Sequence, residues 1–195
     1  MKKISSLILT AFTIISLNAQ TATWNFDKAH SSIGFAVSHM VISETEGKFK
    51  AYEGTVTSEN DDFTNAKINF TIDVSSIDTE NAKRDGHLKS ADFFDVEKYP
   101  SITFASKSLT KVKGNKYKMT GDFTMMGVTK EIELDVKYNG TIKDPWGNTR
   151  AGFKITGSIE RALWNLKYNS VMDNGGLMIG EDIDLTCNVE LILQK

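Results

Sequence analysis

Alternation of apolar and polar residues with a period of two is the feature that most constrains the fold of this chain. In the segment YKMTGDFTM, Tyr117, Met119 and Phe123 fall on one face, whereas lysine, threonine and aspartate fall on the other. Because side chains of a β-strand alternate between the two faces of a sheet, this pattern predicts a strand with one buried face. The same pattern occurs in AKINFTIDV, VTKEIELDVKY, AGFKITGSI and IDLTCNVELIL, and three shorter candidate strands cover residues 32–39, 49–56 and 102–106.

Glycine-containing turn signals separate the predicted strands, among them Glu46-Gly47 and Met126-Gly127. About eight amphipathic strands joined by short turns must bury their apolar faces against one another. The sequence therefore predicts one all-β domain, either a sandwich or a closed antiparallel barrel. The single helix candidate, about residues 79–95, is too short to cover such a sheet.

Residue sizes on the apolar faces favour a barrel with an interior. Small residues at Ala66, Gly121, Ala151 and Gly157 share these faces with large aromatic and methionine side chains. Glycine in a strand marks either free space or the close approach of another group. An eight-stranded barrel is wide enough to be filled by its own side chains or to hold one slender ligand, and the residues alone leave both alternatives open.

The start of the chain has the layout of a secretory signal peptide. Lys2 and Lys3 precede an apolar run from about Leu7 to Leu17, and small or polar residues close the run. The run is shorter than the roughly 20 apolar residues of a membrane-spanning helix. We therefore expect residues 1–20 to be a signal peptide and the remainder, 21–195, to form one exported domain that is periplasmic or secreted.

Charge and cysteine content exclude several classes of function. The 23 basic and 25 acidic residues give a formal charge of −2, which becomes −4 once Lys2 and Lys3 are removed. A mildly acidic chain argues against nucleic acid as a partner, because phosphate binding needs a basic surface. Cys187 is the single cysteine, so no intrachain disulfide can form. Its place on an apolar strand face favours a buried thiol over a reactive one.

The segment NAKRDGHLKSADFF, residues 81–94, has the composition of an active site. Arg84 and His87 would need a nucleophile or a metal to carry chemistry, and the chain has no nucleophile elbow, phosphate loop or nucleotide fingerprint. The other histidines, His30 and His39, add no local metal-ligand spacing. We expect no catalytic residue, no metal and no cofactor. The segment instead closes one end of the barrel, and its polar residues either tie this plug to the strands or meet the head group of a ligand.

Several segments together resemble the YceI-like family. They are WNFDKAHSSIGFAVSHM, IDVSSIDTENAKRDGHLKSADFFDVEKYPSITFAS, MTGDFTMMGVTKEIEL, SIERALWNLKYN and GLMIGEDIDLTCNVEL, and they cover about residues 23–193 in the family's order. The resemblance implies an exported, lipocalin-like antiparallel barrel whose apolar cavity binds a polyisoprenoid or a similar long-chain amphiphile. The chain departs from the family at Phe123-Thr124-Met125-Met126, where we expect adaptable methionines to alter ligand choice.

With this resemblance, the inward-facing apolar residues become candidates for the wall of a cavity, and residues near its ends become candidates for the mouth. The predicted wall residues are Phe35, Val37, Phe70, Ile72, Phe104, Met119, Phe123, Met125, Ile132, Leu134, Phe153 and Ile155. The predicted mouth or head-group residues are His39, Arg84, His87, Arg161 and Trp164. The glycine- and methionine-containing segment 170–182 is a candidate lid over the entrance.

The favoured function is a non-enzymatic protein that holds an isoprenoid-type lipid for storage, transport or stress protection. Two alternatives stay open: an accessory enzyme or electron-transfer component that acts on a bound isoprenoid quinone, and a filled barrel that serves as an interaction module. Besides the lipid, we consider two partners. One is a membrane in transient contact, and the other is a second copy of the chain paired through an exposed strand edge such as Ser32–His39.

Overall fold

The computed structural model describes residues 21–172 and 175–195, and the predicted signal peptide, 1–20, lies outside them. The strands are β1 (Ala22–Phe26), β2 (Ser32–His39), β3 (Ser43–Phe49), β4 (Tyr52–Ser58), β5 (Lys67–Asp73), β6 (Ile77–Asp78), β7 (Ser101–Lys113), β8 (Lys116–Met125), β9 (Val128–Lys143), β10 (Thr149–Glu160) and β11 (Ile179–Leu193). The helix α1 covers Ala82–Lys89, and 3₁₀ helices cover Val74–Ser76 and Arg161–Trp164. Among the described residues, no helix is both long and apolar enough to cross a membrane.

Eight strands form a closed antiparallel barrel. They follow the order β1, β4, β5, β7, β8, β9, β10 and β11, and β11 pairs back with β1 to close the ring. The closing register places Trp24 opposite Leu193 and Phe26 opposite Leu191. The predicted fold, a single all-β antiparallel barrel of eight strands with one short helix, is confirmed.

The three remaining strands lengthen one side of the barrel. β2 pairs with the earlier part of β11, β3 pairs with β2, and β6 pairs with β3. Residues 22–78 therefore form six short strands, of which β1, β4 and β5 belong to the closed ring and β2, β3 and β6 extend it. The strand predicted at 49–56 is wrong in this respect, because β3 ends at Phe49 and β4 begins only at Tyr52.

β2 has partners on both sides. Its residues pair with β11 on one side, as in Phe35 opposite Leu185, and with β3 on the other, as in Phe35 opposite Gly47. Its hydrogen-bonding groups are therefore used within the sheet. The exposed edge predicted at Ser32–His39 is wrong, and a second copy of the chain cannot pair there without displacing a strand.

Gly47 lies inside β3, so the turn predicted at Glu46-Gly47 is wrong. A Cβ atom at Gly47 would overlap the ring of Phe35 and would meet the Thr79 side chain at 2.9 Å. The glycine serves the close approach of a neighbouring ring rather than a change of chain direction.

The alternation along the strands is confirmed as an inward and an outward face. On β8, every second residue is buried, from Tyr117 to Met125. Gly121 on this face marks close approach rather than free space, because a Cβ atom there would lie 2.5 Å from the Phe104 ring. The space inside the barrel therefore does not come from this glycine.

The helix α1 is shorter than the predicted 79–95 and lies between β6 and β7 in the chain. The side chain of Asn81 caps it by accepting a hydrogen bond from the backbone N–H of Arg84 at 3.0 Å. The helix ends where the N–H of Ser90 bonds to the carbonyl of His87, and the chain continues in turns through Phe93. We call the end of the barrel beside α1 the mouth.

An aromatic cluster closes the opposite end of the barrel, which we call the floor. Phe63 is 2% exposed at its centre. Its ring centroid lies 5.0 Å from that of Trp24, 4.9 Å from that of Phe153 and 5.5 Å from that of Tyr138. Since aromatic pairs at these distances attract one another, the floor is a packed core.

Candidate ligand-binding cavity

The barrel encloses a cavity of about 400 Å³ between the floor and the mouth. This volume lies in the range of small-molecule sites. Eleven of the twelve predicted wall residues line it: Phe35, Val37, Phe70, Ile72, Phe104, Met119, Phe123, Met125, Ile132, Leu134 and Ile155. The barrel is therefore hollow, and the filled-barrel alternative is wrong.

The inward face of β11 supplies wall residues that were absent from the predicted set. They are Ile183, Leu185, Cys187 and Val189. The same two-residue period marks them in the sequence, so the signal was available. Burial raises the pKa of the Cys187 thiol to about 11, which keeps the thiol protonated and the wall uncharged at neutral pH.

Two predicted site residues lie outside the cavity surface. Phe153 belongs to the floor and lines a separate void of about 70 Å³ beneath the main cavity. Trp164 is 2% exposed and packs behind the wall, where its ring lies 5.5 Å from Phe123 and its Nε1–H donates to the Phe123 carbonyl at 3.2 Å. Trp164 thus supports a wall residue instead of lining the mouth.

Arg84 lines the mouth from α1 and is exposed. Its Nε–H donates to Thr79 Oγ1 at 2.8 Å, and its Nη2–H donates to the Thr79 carbonyl at 2.8 Å. The carboxylate of Asp85 accepts from the N–H and the hydroxyl of the same Thr79 at 2.9 and 2.6 Å. These bonds tie α1 to the segment that follows β6, which is a structural role for the charged cluster.

Histidines and aromatic rings complete this side of the mouth. His87 Nε2 lies 3.1 Å from Asp92 Oδ2, and the His87 ring is perpendicular to those of Phe93 and Tyr168 at 5.0 and 4.9 Å. His39, at the end of β2, also lines the cavity. The predicted mouth residues His39, Arg84 and His87 therefore meet at one end of the cavity.

Arg161 lines the cavity from the end of β10 and is 5% exposed. Its Nε–H donates to the Gly180 carbonyl at 2.8 Å, and Nη1 donates to the carbonyls of Leu166 and Tyr168 at 2.6 and 3.0 Å. The pKa of Arg161 is lowered because the side chain is buried, and the negative charge of Glu181 offsets only part of this shift. All of these acceptors are neutral, so in the described part of the chain the positive charge of Arg161 has no ion-pair partner.

The candidate lid, 170–182, contributes to the mouth, although Asp173 and Asn174 lie outside the described residues. Met178 and Ile179 line the cavity. The Asn169 side chain holds Ile179 in place, since it donates to the Ile179 carbonyl at 2.8 Å and accepts from the Ile179 N–H at 3.1 Å. Whether the segment moves as a lid stays a prediction.

A cluster of charged residues lies near the floor end, away from the cavity lining. Arg150 donates to Asp27 at 2.5 Å, to Glu190 at 2.6 Å and to Asp144 at 2.6 Å, and His30 Nδ1 lies 2.9 Å from Asp27 Oδ2. Within the described ranges, Asp27, His30 and Glu190 are the group with metal-ligand spacing. Because Arg150 Nη1 already donates to both carboxylates, the group forms an ion-pair network.

The cavity thus combines a long apolar wall with polar groups gathered at its mouth, an arrangement suited to an amphiphile with one polar end. The family model of the YceI-like domain matches residues 24–191. The chain belongs to the YceI-like family. This YceI-like chain is 36% identical to a UPF0312 protein of Staphylococcus aureus over 173 residues. The aligned residues are 88% of this chain and 98% of that protein.

Solved structures of three other proteins share the fold of this YceI-like chain. A YceI protein of Campylobacter jejuni is 32% identical, with a TM-score of 0.70 over 96% of this chain and 100% of that one. BcnA of Burkholderia cenocepacia has a TM-score of 0.74 at 22% identity over 85% and 98% of the two chains. A domain of Saccharophagus degradans, described as polyisoprenoid binding, has a TM-score of 0.65 at 14% identity over 88% and 98%. The last two similarities concern the fold alone.

Proposed function

We propose that this chain is an exported binding protein that holds one polyisoprenoid, or a similar long-chain amphiphile, inside its barrel. The single observation that carries the proposal is the 400 Å³ cavity, whose wall is apolar and whose charged groups lie at one end. Burial of a hydrocarbon chain contributes about 0.8 kcal/mol per methylene, so about ten methylenes account for micromolar affinity before ordering costs. The polyisoprenoid-binding description of the Saccharophagus degradans domain supports the ligand class.

The charges at the mouth support an anionic or strongly polar head group. Among the residues that the structure describes, Arg161 is buried and hydrogen-bonded to backbone carbonyls rather than to a carboxylate, and Arg84 and His87 lie at the same end of the cavity. A cation without a carboxylate partner in a place of low dielectric constant attracts negative charge more strongly than a cation in water does. We expect a phosphate or carboxylate near Arg161 and the hydrocarbon chain directed towards the floor.

A binding role fits the mouth better than a catalytic one. Arg84 and Asp85 are both engaged with Thr79, and His87 lies against Asp92. These side chains are occupied in holding α1, and they do not converge on a common reacting atom. We therefore propose storage, transport or protection of the lipid, in the periplasm or outside the cell, as the use of the barrel.

Blocking the cavity tests this proposal. Cys187→Phe places a ring in the middle of the wall, and Thr186→Phe places the same ring on the exposed outer face of β11. With a fluorescent polyprenyl phosphate as probe, we expect Cys187→Phe to raise the Kd at least about tenfold, because the ring takes space that the chain needs. Thr186→Phe is expected to bind as the wild type does.

Thermal melting of both variants provides the folding control for this titration. Equal Kd values for the two folded variants and the wild type would place the lipid outside the cavity and would contradict the proposal.

A further inference from the structure

The turn between β2 and β3 exposes three consecutive apolar residues. Met40 is 38% exposed, Val41 is 73% exposed and Ile42 is 87% exposed. Single exposed apolar side chains are ordinary on protein surfaces, whereas contiguous ones mark contact with another apolar body.

This turn lies beside the mouth of the cavity. The N–H of Met40 donates to the carbonyl of Met178 at 2.8 Å, and Met178 and the adjacent His39 both line the cavity. On the neighbouring segment, Val171 is 73% exposed and is bridged to Leu177. Two segments of the chain thus present apolar side chains around one opening. We call Met40, Val41, Ile42 and Val171 the apolar rim.

The backbone of the turn shows that local preference does not explain its sequence. Met40 and Val41 have φ values of 52° and 66°, and the N–H of Ile42 bonds to the carbonyl of His39 at 3.3 Å. Two-residue turns with positive φ at both central positions favour asparagine and glycine, and a β-branched residue there is a genuine outlier. The tip carries methionine and valine against this preference, as expected where a tip serves contact with a partner.

We propose that the apolar rim docks on the surface of a lipid bilayer and places the mouth of the cavity against the acyl chains. This inference rests on the proposed function, since a long-chain amphiphile is held in bilayers and has little solubility in water. A mouth open to water would expose the chain during transfer and raise the barrier in proportion to the apolar area exposed. A rim inserted among the head groups shields the chain on its way into or out of the cavity.

The rim binds through apolar burial rather than charge. Its four residues are uncharged, and Glu44 and Glu46 follow on β3. With a formal charge of −2 for the whole chain, attraction to anionic lipids is not expected. The proposal therefore commits to a neutral bilayer, and docking is expected to change little with salt.

Co-flotation with phosphatidylcholine vesicles tests the rim with a matched pair of variants. Ile42→Asp changes the rim, and Ile142→Asp changes an isoleucine that is 66% exposed on β9 near the floor end. All proteins are purified in the same form from the exporting cell, so that any leader segment is common to them. We expect Ile42→Asp to reduce the vesicle-bound fraction at least about tenfold and Ile142→Asp to leave it unchanged.

Val41→Asn is a second rim variant whose side chain suits the left-handed backbone, and it is expected to give the same direction of loss with an unchanged melting temperature. Equal binding by the wild type and both rim variants would overturn the proposal, as would equal loss in Ile142→Asp. If the wild type does not bind protein-free vesicles, the proposal is also overturned, and the result would point to a protein acceptor.

Loading with polyprenyl phosphate from detergent separates this inference from the proposed function. Ile42→Asp is expected to load as the wild type does, because its side chain lies outside the cavity. If the wild type loads no lipid, the proposed function fails. If the wild type and Ile42→Asp load equally and float equally, only the docking inference fails.

Discussion

At the scale of single residues, Arg150 joins three carboxylates from separate parts of the chain. Its side chain is 16% exposed, and the side chains of Asp27 and Asp144 are 11% and 4% exposed. A hydrogen bond with His30, and then one with Arg150, lowers the pKa of Asp27 to about 2 although burial opposes the shift. Burial also raises the pKa of Asp144, but hydrogen bonds from Arg150 and Asn148 outweigh it and hold that pKa well below its usual range.

These lowered pKa values predict a loss of stability in acid. The folded state binds fewer protons than the unfolded chain, so the contribution of Asp27 is complete above about pH 4 and is lost as the pH falls through about 2. In urea titrations at pH 7, we expect Asp27→Asn to lower the free energy of unfolding by about 2 kcal/mol, and the difference from the wild type to disappear near pH 2. Asp184→Asn, at an exposed position on β11, is the control. A pH-independent difference for Asp27→Asn would contradict the assignment.

Single residues differ in how far the sequence predicts their place. Phe104 and Met119 were predicted on the wall, and both line the cavity, because a two-residue period determines the face of a strand. The hydrogen bond between Arg150 and Asp27 joins residues 123 positions apart, and no local sequence pattern predicts it. Trp164 was predicted at the mouth because it lies where a strand leaves the sheet, but the 3₁₀ turn directs its ring behind Phe123.

At the scale of elements, β7 and β8 pack closely because Gly121 on β8 has no side chain where the ring of Phe104 on β7 lies. A Cβ atom at Gly121 would lie 2.5 Å from Phe104 Cζ and 2.6 Å from the Ala105 carbonyl oxygen, and the backbone carbonyl cannot move aside easily. We expect Gly121→Ala to destabilise the barrel by about 1–3 kcal/mol through overpacking, as measured by urea denaturation.

Gly152 on β10 is the matched control for this variant. Its Cβ would meet the nearest atom, Asn139 Cβ, at 3.6 Å, which is an ordinary contact. Gly152→Ala is expected to be neutral or slightly stabilising, because alanine restricts the unfolded chain more than glycine does. Equal destabilisation by the two variants would show that steric overlap at Gly121 is not the cause.

The boundaries of elements were harder to predict than their faces. The break between Phe49 and Tyr52 carries no glycine or proline, and it follows from the way β3 and β4 pair with different neighbours. Gly47 suggested a turn because glycine serves both turns and tight packing, and only the Phe35 ring in the folded barrel decides between them. Helix α1 ends at Lys89 with Ser90 as its C-cap, although apolar residues continue in the chain to Phe94.

At the scale of the whole molecule, the hollow interior is the property on which function depends. The sequence alone is compatible with both a filled and a hollow barrel, because the same apolar faces occur in both. The width of the ring of strands determines which of the two forms. The structure has a packed aromatic floor, an apolar cavity of about 400 Å³ and a mouth lined by the cationic or titratable side chains of His39, Arg84, His87 and Arg161. These features together support the proposed binding role, with the mouth as the entrance for the ligand.

Mass spectrometry of the protein, purified gently from exporting cells, tests the central claim most directly. Native spectra measure the mass of the complex, and an organic extract identifies what the cavity of about 400 Å³ holds. We predict a one-to-one adduct whose fragments show a prenyl chain and an anionic head group. A ligand-free mass that stays unchanged after incubation with polyprenyl phosphates would contradict the account.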